Sequence, residues 1–353
     1  MRDLNPPKFL VTTAMTLVLY TGVHAQEEAW TIGTRALPAP VATSDVLRAS
    51  IASTPQPDVA ERIRRTTFTT KEEWTQFIRA TDARNMDRSV ALIERLPVTV
   101  EKSEIAGVTV RTVTPADIDP ANEKRLFVHV HGGAYVLNAG RAGLTEAVLI
   151  AHWAKIPVLS IDYRMPPEHP FPAAVDDVVT VWKSLLRNRP AKSMALGGTS
   201  AGGGLSLASV HRFMELCLEM PGALWAGTPW ADLTKTSDSL FTNEGIDRVL
   251  VTYGGALEGA AKLYADGQDL MTPLISPVYG DFTGFPPTYL VTGTRDLFLS
   301  DTVRVHRKMR VAGVMADLNV YEGVSHGDYM FVGSSEMRQS IGELGAFLLQ
   351  HLK

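Results

Sequence analysis

Residues 194–205 read Met-Ala-Leu-Gly-Gly-Thr-Ser-Ala-Gly-Gly-Gly-Leu. The apolar start, 194–196, predicts a short buried strand, and a helix is predicted over 205–220. Between them Gly198-Thr199-Ser200-Ala201-Gly202 fits the pattern G-x-S-x-G. A serine on so tight a strand-to-helix turn is forced into a strained backbone conformation. Its neighbours two before and two after must lack bulk, because strand and helix approach closely there. The turn also sets Ser200 at a helix N-terminus, where free N–H groups and the helix dipole favour developing negative charge. A glycine-rich turn with a capping serine would look the same locally, so the surroundings decide.

Outward from this turn, strands and helices alternate. Strands are predicted at 125–130, 157–161, 287–291 and 316–321, and helices at 144–153, 174–188, 302–312 and 337–351. In the 174–188 helix, Val175, Val178, Val179, Trp182, Leu185 and Leu186 fall on one face. Residues 97–113 alternate apolar and polar and predict two antiparallel strands. The alternation implies an α/β fold with a mainly parallel central sheet flanked by helices. Two stretches break the rhythm. Residues 45–95 read as several short helices, and 233–270 as a helical insertion before the next strand. Together they are expected to form a helical cap over the strand ends, the alternative being ordinary helices beside the sheet.

Three further elements supply chemistry for Ser200. His131-Gly132-Gly133-Ala134 closes the 125–130 strand, and its glycines let backbone N–H groups approach a substrate carbonyl. Gly132 and Gly133, with Ala201 after the nucleophile, are the candidate oxyanion donors. Serine needs a base to take its proton. His326, beside a glycine in the loop after strand 316–321, is the candidate. Asp296, in the loop after strand 287–291, is the candidate acid that orients the imidazole. Asp301 and Asp328 are nearby rivals for that role. His129 and His131 share a strand face, but no third metal ligand falls at short spacing, so no metal is expected. His131 is expected to brace its loop by hydrogen bonds.

These motifs resemble the hormone-sensitive-lipase-like esterases, bacterial family IV of the α/β-hydrolase superfamily, over residues 97–353. The resemblance rests on HGGAY at 131–135, DYRMPPEHPFPAAVDD at 162–177, GTSAGG at 198–203, GTRD at 293–296 and SHGD at 325–328. It implies an α/β-hydrolase fold with a helical cap built from residues 26–96 and the 233–270 insertion. It implies hydrolysis of short- to medium-chain acyl esters without metal or organic cofactor. Ser200, Asp296 and His326 would be the triad, with Gly132, Gly133 and Ala201 forming the oxyanion hole. The common GDSAG is GTSAG here, with Thr199 in place of Asp, as in one subgroup. A homodimer is one arrangement the resemblance suggests. Lactone hydrolase and amidase or peptidase readings share the same triad. A non-catalytic ligand-binding homologue typically loses the histidine, which is present here.

Composition bounds the setting. The 353 residues are 45% hydrophobic and carry a net charge of −4, with no basic run for a nucleic-acid partner. Residues 1–25 read as an export signal: Arg2 and Lys8 precede an apolar run over 9–23, and Val23-His24-Ala25 offers a cleavage site. The expectation is an exported, periplasmic or secreted protein with no stable membrane insertion after cleavage. The one cysteine, Cys217, forms no internal disulfide and is expected to lie buried on the helix predicted over 205–220, among Met214, Leu216 and Leu218.

Overall fold

The computed structural model describes residues 33, 34 and 36–353; the expected signal at 1–25 lies outside the described residues. The chain divides after Pro38, and residues 39–353 form one unit.

Helices come first. The helices α1 (Asp45–Ser53), α2 (Val59–Thr66) and α3 (Lys71–Arg95) start where Ser44, Asp58 and Thr70 accept from backbone N–H groups of the first turn. Glu73 accepts in return from Thr70 N, which completes a capping box. The α3 helix runs 25 residues, longer than the short helices expected, because neither Pro nor Gly interrupts 71–95. An antiparallel hairpin follows, β1 (Val98–Ile105) and β2 (Val108–Pro115), turned by Ala106 and Gly107 at φ 51° and 87°.

The alternating part then runs β3 (Leu126–Val130), α4 (Leu144–Ala154), β4 (Val158–Ile161), α5 (Ala173–Leu185), β5 (Met194–Thr199), α6 (Ala201–Glu215) and β6 (Ala223–Gly227). Two short helices, α7 (Ser239–Thr242) and α8 (Ala256–Ala265), precede β7 (Thr288–Gly293), α9 (Leu299–Val311), β8 (Ala316–Tyr321) and α10 (Ser335–His351). The eight strands form one sheet in the order β1-β2-β4-β3-β5-β6-β7-β8. The β2 strand runs antiparallel to both its neighbours, β1 and β4, and every other neighbouring pair is parallel.

Successive residues of a strand face opposite sides. Leu196 and Leu290 therefore join a core with α5, α6 and α9. Ala195, Tyr289 and Val291 join a second core with α4 and α10. The loops leaving β3, β5, β7 and β8 all emerge at the C-terminal edge of the parallel strands, where α/β sheets place their ligands.

Three expectations are corrected here. The α6 helix starts at Ala201 and ends at Glu215, which leaves room for a strand the sequence reading missed, β6. Its five residues are all buried and too few for periodicity to separate from a loop. Cys217 is exposed at φ 51°, just past the helix that was expected to hold it. The 233–270 stretch is mostly turns, with α7 and α8 its only helices among the described residues.

Candidate active site

Ser200 sits between β5 and α6 with φ 63° and ψ −126°, a conformation strained for any side chain. The flanking glycines explain how the chain tolerates it. A Cβ at Gly198 would stand 1.8 Å from Val130 O, and one at Gly202 would stand 2.0 Å from the same oxygen. The elbow is held by backbone: Ser200 N donates to Gly227 O at 2.8 Å, and Gly204 N and Trp230 N donate to Ser200 O at 3.0 and 2.9 Å. Thr199, the residue that departs from the family's common Asp, donates its N–H to Glu146 Oε1 at 3.1 Å and pairs its hydroxyl with Tyr329 OH at 3.0 Å.

Gly132 lies against this elbow. A Cβ there would meet Thr199 O at 2.6 Å and Ser200 Cβ at 3.3 Å. Gly133 takes φ 121°, open to glycine, and a Cβ would stand 2.5 Å from Leu137 O. The Gly132 carbonyl accepts from Asn138 Nδ2 at 3.0 Å and from His131 Nδ1 at 2.9 Å. A planar trans peptide fixes the Gly133 N–H on the opposite side. His131 thus braces its loop. Burial lowers its pKa to about 4, which keeps the ring neutral. Asn138 is itself held from α3: Asn85 Nδ2 donates to its Oδ1 at 2.8 Å, and its N–H donates to Asp82 Oδ1 at 2.6 Å.

Asp296 and His326 meet. His326 Nδ1 stands 3.0 Å from Asp296 Oδ1. The carboxylate is fully buried and well supplied with donors. Oδ1 accepts from Phe298 N at 2.8 Å, and Oδ2 from Thr292 Oγ1 at 3.1 Å and from Thr228 Oγ1. Asn243 Nδ2 donates to the Asp296 carbonyl at 2.8 Å. Burial alone would lower the His326 pKa, but the charge and hydrogen bond of Asp296, with Asp247 and Asp328 beyond, outweigh it and hold the imidazole above its ordinary value. The rival carboxylates are committed elsewhere. Asp301 accepts from Ala231 N and Asp232 N, and Asp328 pairs with Arg248.

Sequence reasoning missed Thr228, Asn243, Asp247 and Arg248. They come from the β6 exit and the 233–270 stretch, and no motif links them to positions 296 or 326. It also left His129 unassigned. Its ring nitrogens lie 2.9 Å from Ser160 Oγ and 2.8 Å from Glu146 Oε1, so both are taken by protein groups. Among the described residues no group of three His, Cys, Asp or Glu could hold a metal.

One cavity of about 690 Å³ gathers these parts: Ser200, Gly132, Gly133 and His326 all line it. Its apolar wall combines Trp74 and Phe77 of α3, Leu149 of α4, and Leu250 and Leu257 of the later insertion. The two non-sheet segments touch each other: a Cβ at Gly259 would meet Trp74 Cζ2 at 2.6 Å, and Ala256 N donates to Thr66 Oγ1 at 3.2 Å. No helix of the described residues is long and apolar enough to cross a membrane.

A strained serine and an Asp-paired histidine on the C-terminal edge of a parallel sheet define a hydrolase of the α/β-hydrolase class, and the profile of that fold family matches residues 127–330. Within the class the chain belongs to the hormone-sensitive-lipase-like esterase family. An esterase of Acinetobacter venetianus is 32% identical over 64% of this chain and 75% of its own. The crystal structure of esterase E25 is 52% identical, covers 93% of this chain and 100% of its own, and superposes with a TM-score of 0.90. An esterase structure from the bacterial hormone-sensitive lipase family is 27% identical, covers 87% and 96%, and gives a TM-score of 0.69.

Proposed function

We propose that Ser200, His326 and Asp296 hydrolyse carboxylic esters through an acyl-enzyme. His326 takes the Ser200 proton as the oxygen attacks the ester carbonyl. The tetrahedral oxyanion is held by the backbone N–H groups of Gly132, Gly133 and Ala201. His326 then protonates the departing alcohol. Water, deprotonated by the same imidazole, attacks the acyl-enzyme and frees the acid and Ser200. Asp296 keeps the proton-bearing nitrogen at Nδ1, so that Nε2 serves the reaction.

The observation that carries this reading is the 3.0 Å contact of Asp296 with His326 on the wall of the cavity that also presents the strained Ser200. The apolar wall supports short- to medium-chain acyl groups. The helices α2 and α3 and the 233–270 stretch act as its cap, since side chains from both line the cavity. The expected export of the mature chain rests on the character of residues 1–25. A homodimer is the assembly the family resemblance suggests.

Ser200→Ala is the test. Turnover of p-nitrophenyl butyrate should fall about 10⁶-fold in kcat while the fold persists. Retained turnover would remove Ser200 from the reaction. A panel of linear esters, lactones and amides run on the same preparation separates the ester reading from its relatives on the same triad.

A further inference from the structure

Two consecutive residues of the insertion reach both loops that carry the acid–base pair. Asp247 is fully buried. Its Oδ1 accepts from Val249 N at 2.8 Å and Leu250 N at 3.1 Å, which closes its own turn. Its Oδ2 accepts from Leu297 N at 3.0 Å, one residue beyond Asp296. Arg248 serves the other loop. Its Nε and Nη2 donate to Asp328 Oδ2 and Oδ1 at 2.8 and 2.7 Å, a two-pronged bond, and its N–H donates to Ser325 Oγ at 3.3 Å. Ser325 and Asp328 bracket His326 in sequence. The remaining prong, Nη1, donates to Ser50 Oγ at 3.0 Å in α1 and to Thr54 Oγ1 at 3.1 Å at its end.

Folding alone gives a poor account of this pair. Closing the turn at Val249 and Leu250 needs one oxygen acceptor, which Asn or Ser would supply. A carboxylate at that place adds a second negative charge beside Asp296 in the interior. The cost is visible in the Asp247 carboxyl, pushed up to about 6 by burial and then by the Asp296 charge, with His326 opposing. The same charge also acts on His326, whose pKa it raises together with Asp296 and Asp328.

We propose that Asp247 and Arg248 are positioning residues for ester hydrolysis: Asp247 fixes the Asp296 turn and strengthens the negative field behind His326, while Arg248 ties the His326 loop to α1. The insertion thereby sets the distance between acid and base, in addition to covering the cavity. This rests on the roles assigned above to Asp296 and His326.

The groups facing His326 are Asp296, Asp247 and Asp328, with Thr228 Oγ1 at 3.3 Å and the Phe298 ring edge-on at 5.0 Å. Those facing Asp247 are Asp296 and His326. Hydrolysis needs a neutral imidazole, so activity falls as pH drops through the His326 pKa. Removing the Asp247 charge lowers that pKa, and the acid limb of kcat/KM should move to lower pH.

The experiment measures kcat, KM and the acid limb for Asp247→Asn, Arg248→Ala and Arg248→Lys in the full chain, with p-nitrophenyl butyrate. Asp247→Asn should lower kcat about tenfold, leave KM within about twofold, and shift the limb down. Arg248→Ala should lower kcat as much, and Arg248→Lys should recover part of it. An acid limb that stays in place in folded Asp247→Asn overturns the proposal, whether or not kcat falls. Should that variant fail to fold, Asp247→Glu keeps the charge and moves the carboxylate: a lowered kcat with the limb in place supports the proposal, and an unchanged kcat overturns it. Residual activity in Ser200→Ala would instead sink the assignment of the site itself.

Discussion

The two halves of the proposed active site are held in place by different physics. On the nucleophile side, Ser200 is set by backbone alone: a strained φ, three main-chain hydrogen bonds, and glycines that let Val130 O press against Gly198 and Gly202. On the acid–base side, backbone contacts shape the turns, with Asp296 N donating to Gly293 O at 3.2 Å and Gly293 packed against Val324 O, but the Asp296 and His326 side chains need further partners. They are fixed by side chains from elsewhere, Thr228 after β6, Thr292 at the end of β7, and Asn243 and Asp247 in the insertion. Steric positioning is all-or-nothing and belongs to the fold. Bonded positioning is graded and can be trimmed one partner at a time. Damage to the first half should therefore appear as lost stability, and damage to the second as lost turnover in a sound protein.

The sharpest check of the bonded half is Asp296→Asn. The amide keeps the shape and loses the charge that orients the imidazole. Turnover of p-nitrophenyl butyrate should drop about 10⁴-fold with an unchanged melting temperature. Next comes Gly198→Ala, which tests the steric half. The methyl group meets a backbone oxygen that cannot yield, so the protein should lose about 3 kcal/mol or more in denaturant unfolding. A stable Gly198→Ala with lowered kcat would erase the contrast. The smallest effect belongs to Thr228→Val. It removes the hydroxyl shared by Asp296 Oδ2 and His326 Nδ1 and should cost about tenfold in kcat. Thr228 is completely buried, so its thermal stability is the control.

The same division decides how much the sequence discloses. Steric positioning writes itself locally: glycine is the only residue that fits at 198, 202 and 133, so the elbow and the tight loop at 132–133 are legible as short motifs. The pairing of Asp296 with His326 was legible as well, because each follows a predicted strand in the expected order. Their supports were hidden. Thr228 follows β6, a strand of five buried residues that no periodicity announced. Asn243, Asp247 and Arg248 lie in turns of the insertion, where polar residues are ordinary. Nothing along the chain says that a turn at 247 reaches Leu297, since that contact exists only once the insertion folds back over the strand ends. The exposed Cys217 was misread for a related reason: the helix that was to bury it ends at Glu215, and helix ends are the weakest part of any periodic pattern.

That same helix offers a practical use. It starts immediately after Ser200 and stops two residues before the single thiol of the chain, which faces solvent. Its 15 residues make a stiff rod of about 22 Å. A fluorescent phosphonate on the serine and a maleimide dye on the cysteine would mark its two ends, one of each per polypeptide. Energy transfer between them would give a built-in ruler from catalytic cavity to outer surface, readable during unfolding without altering a residue.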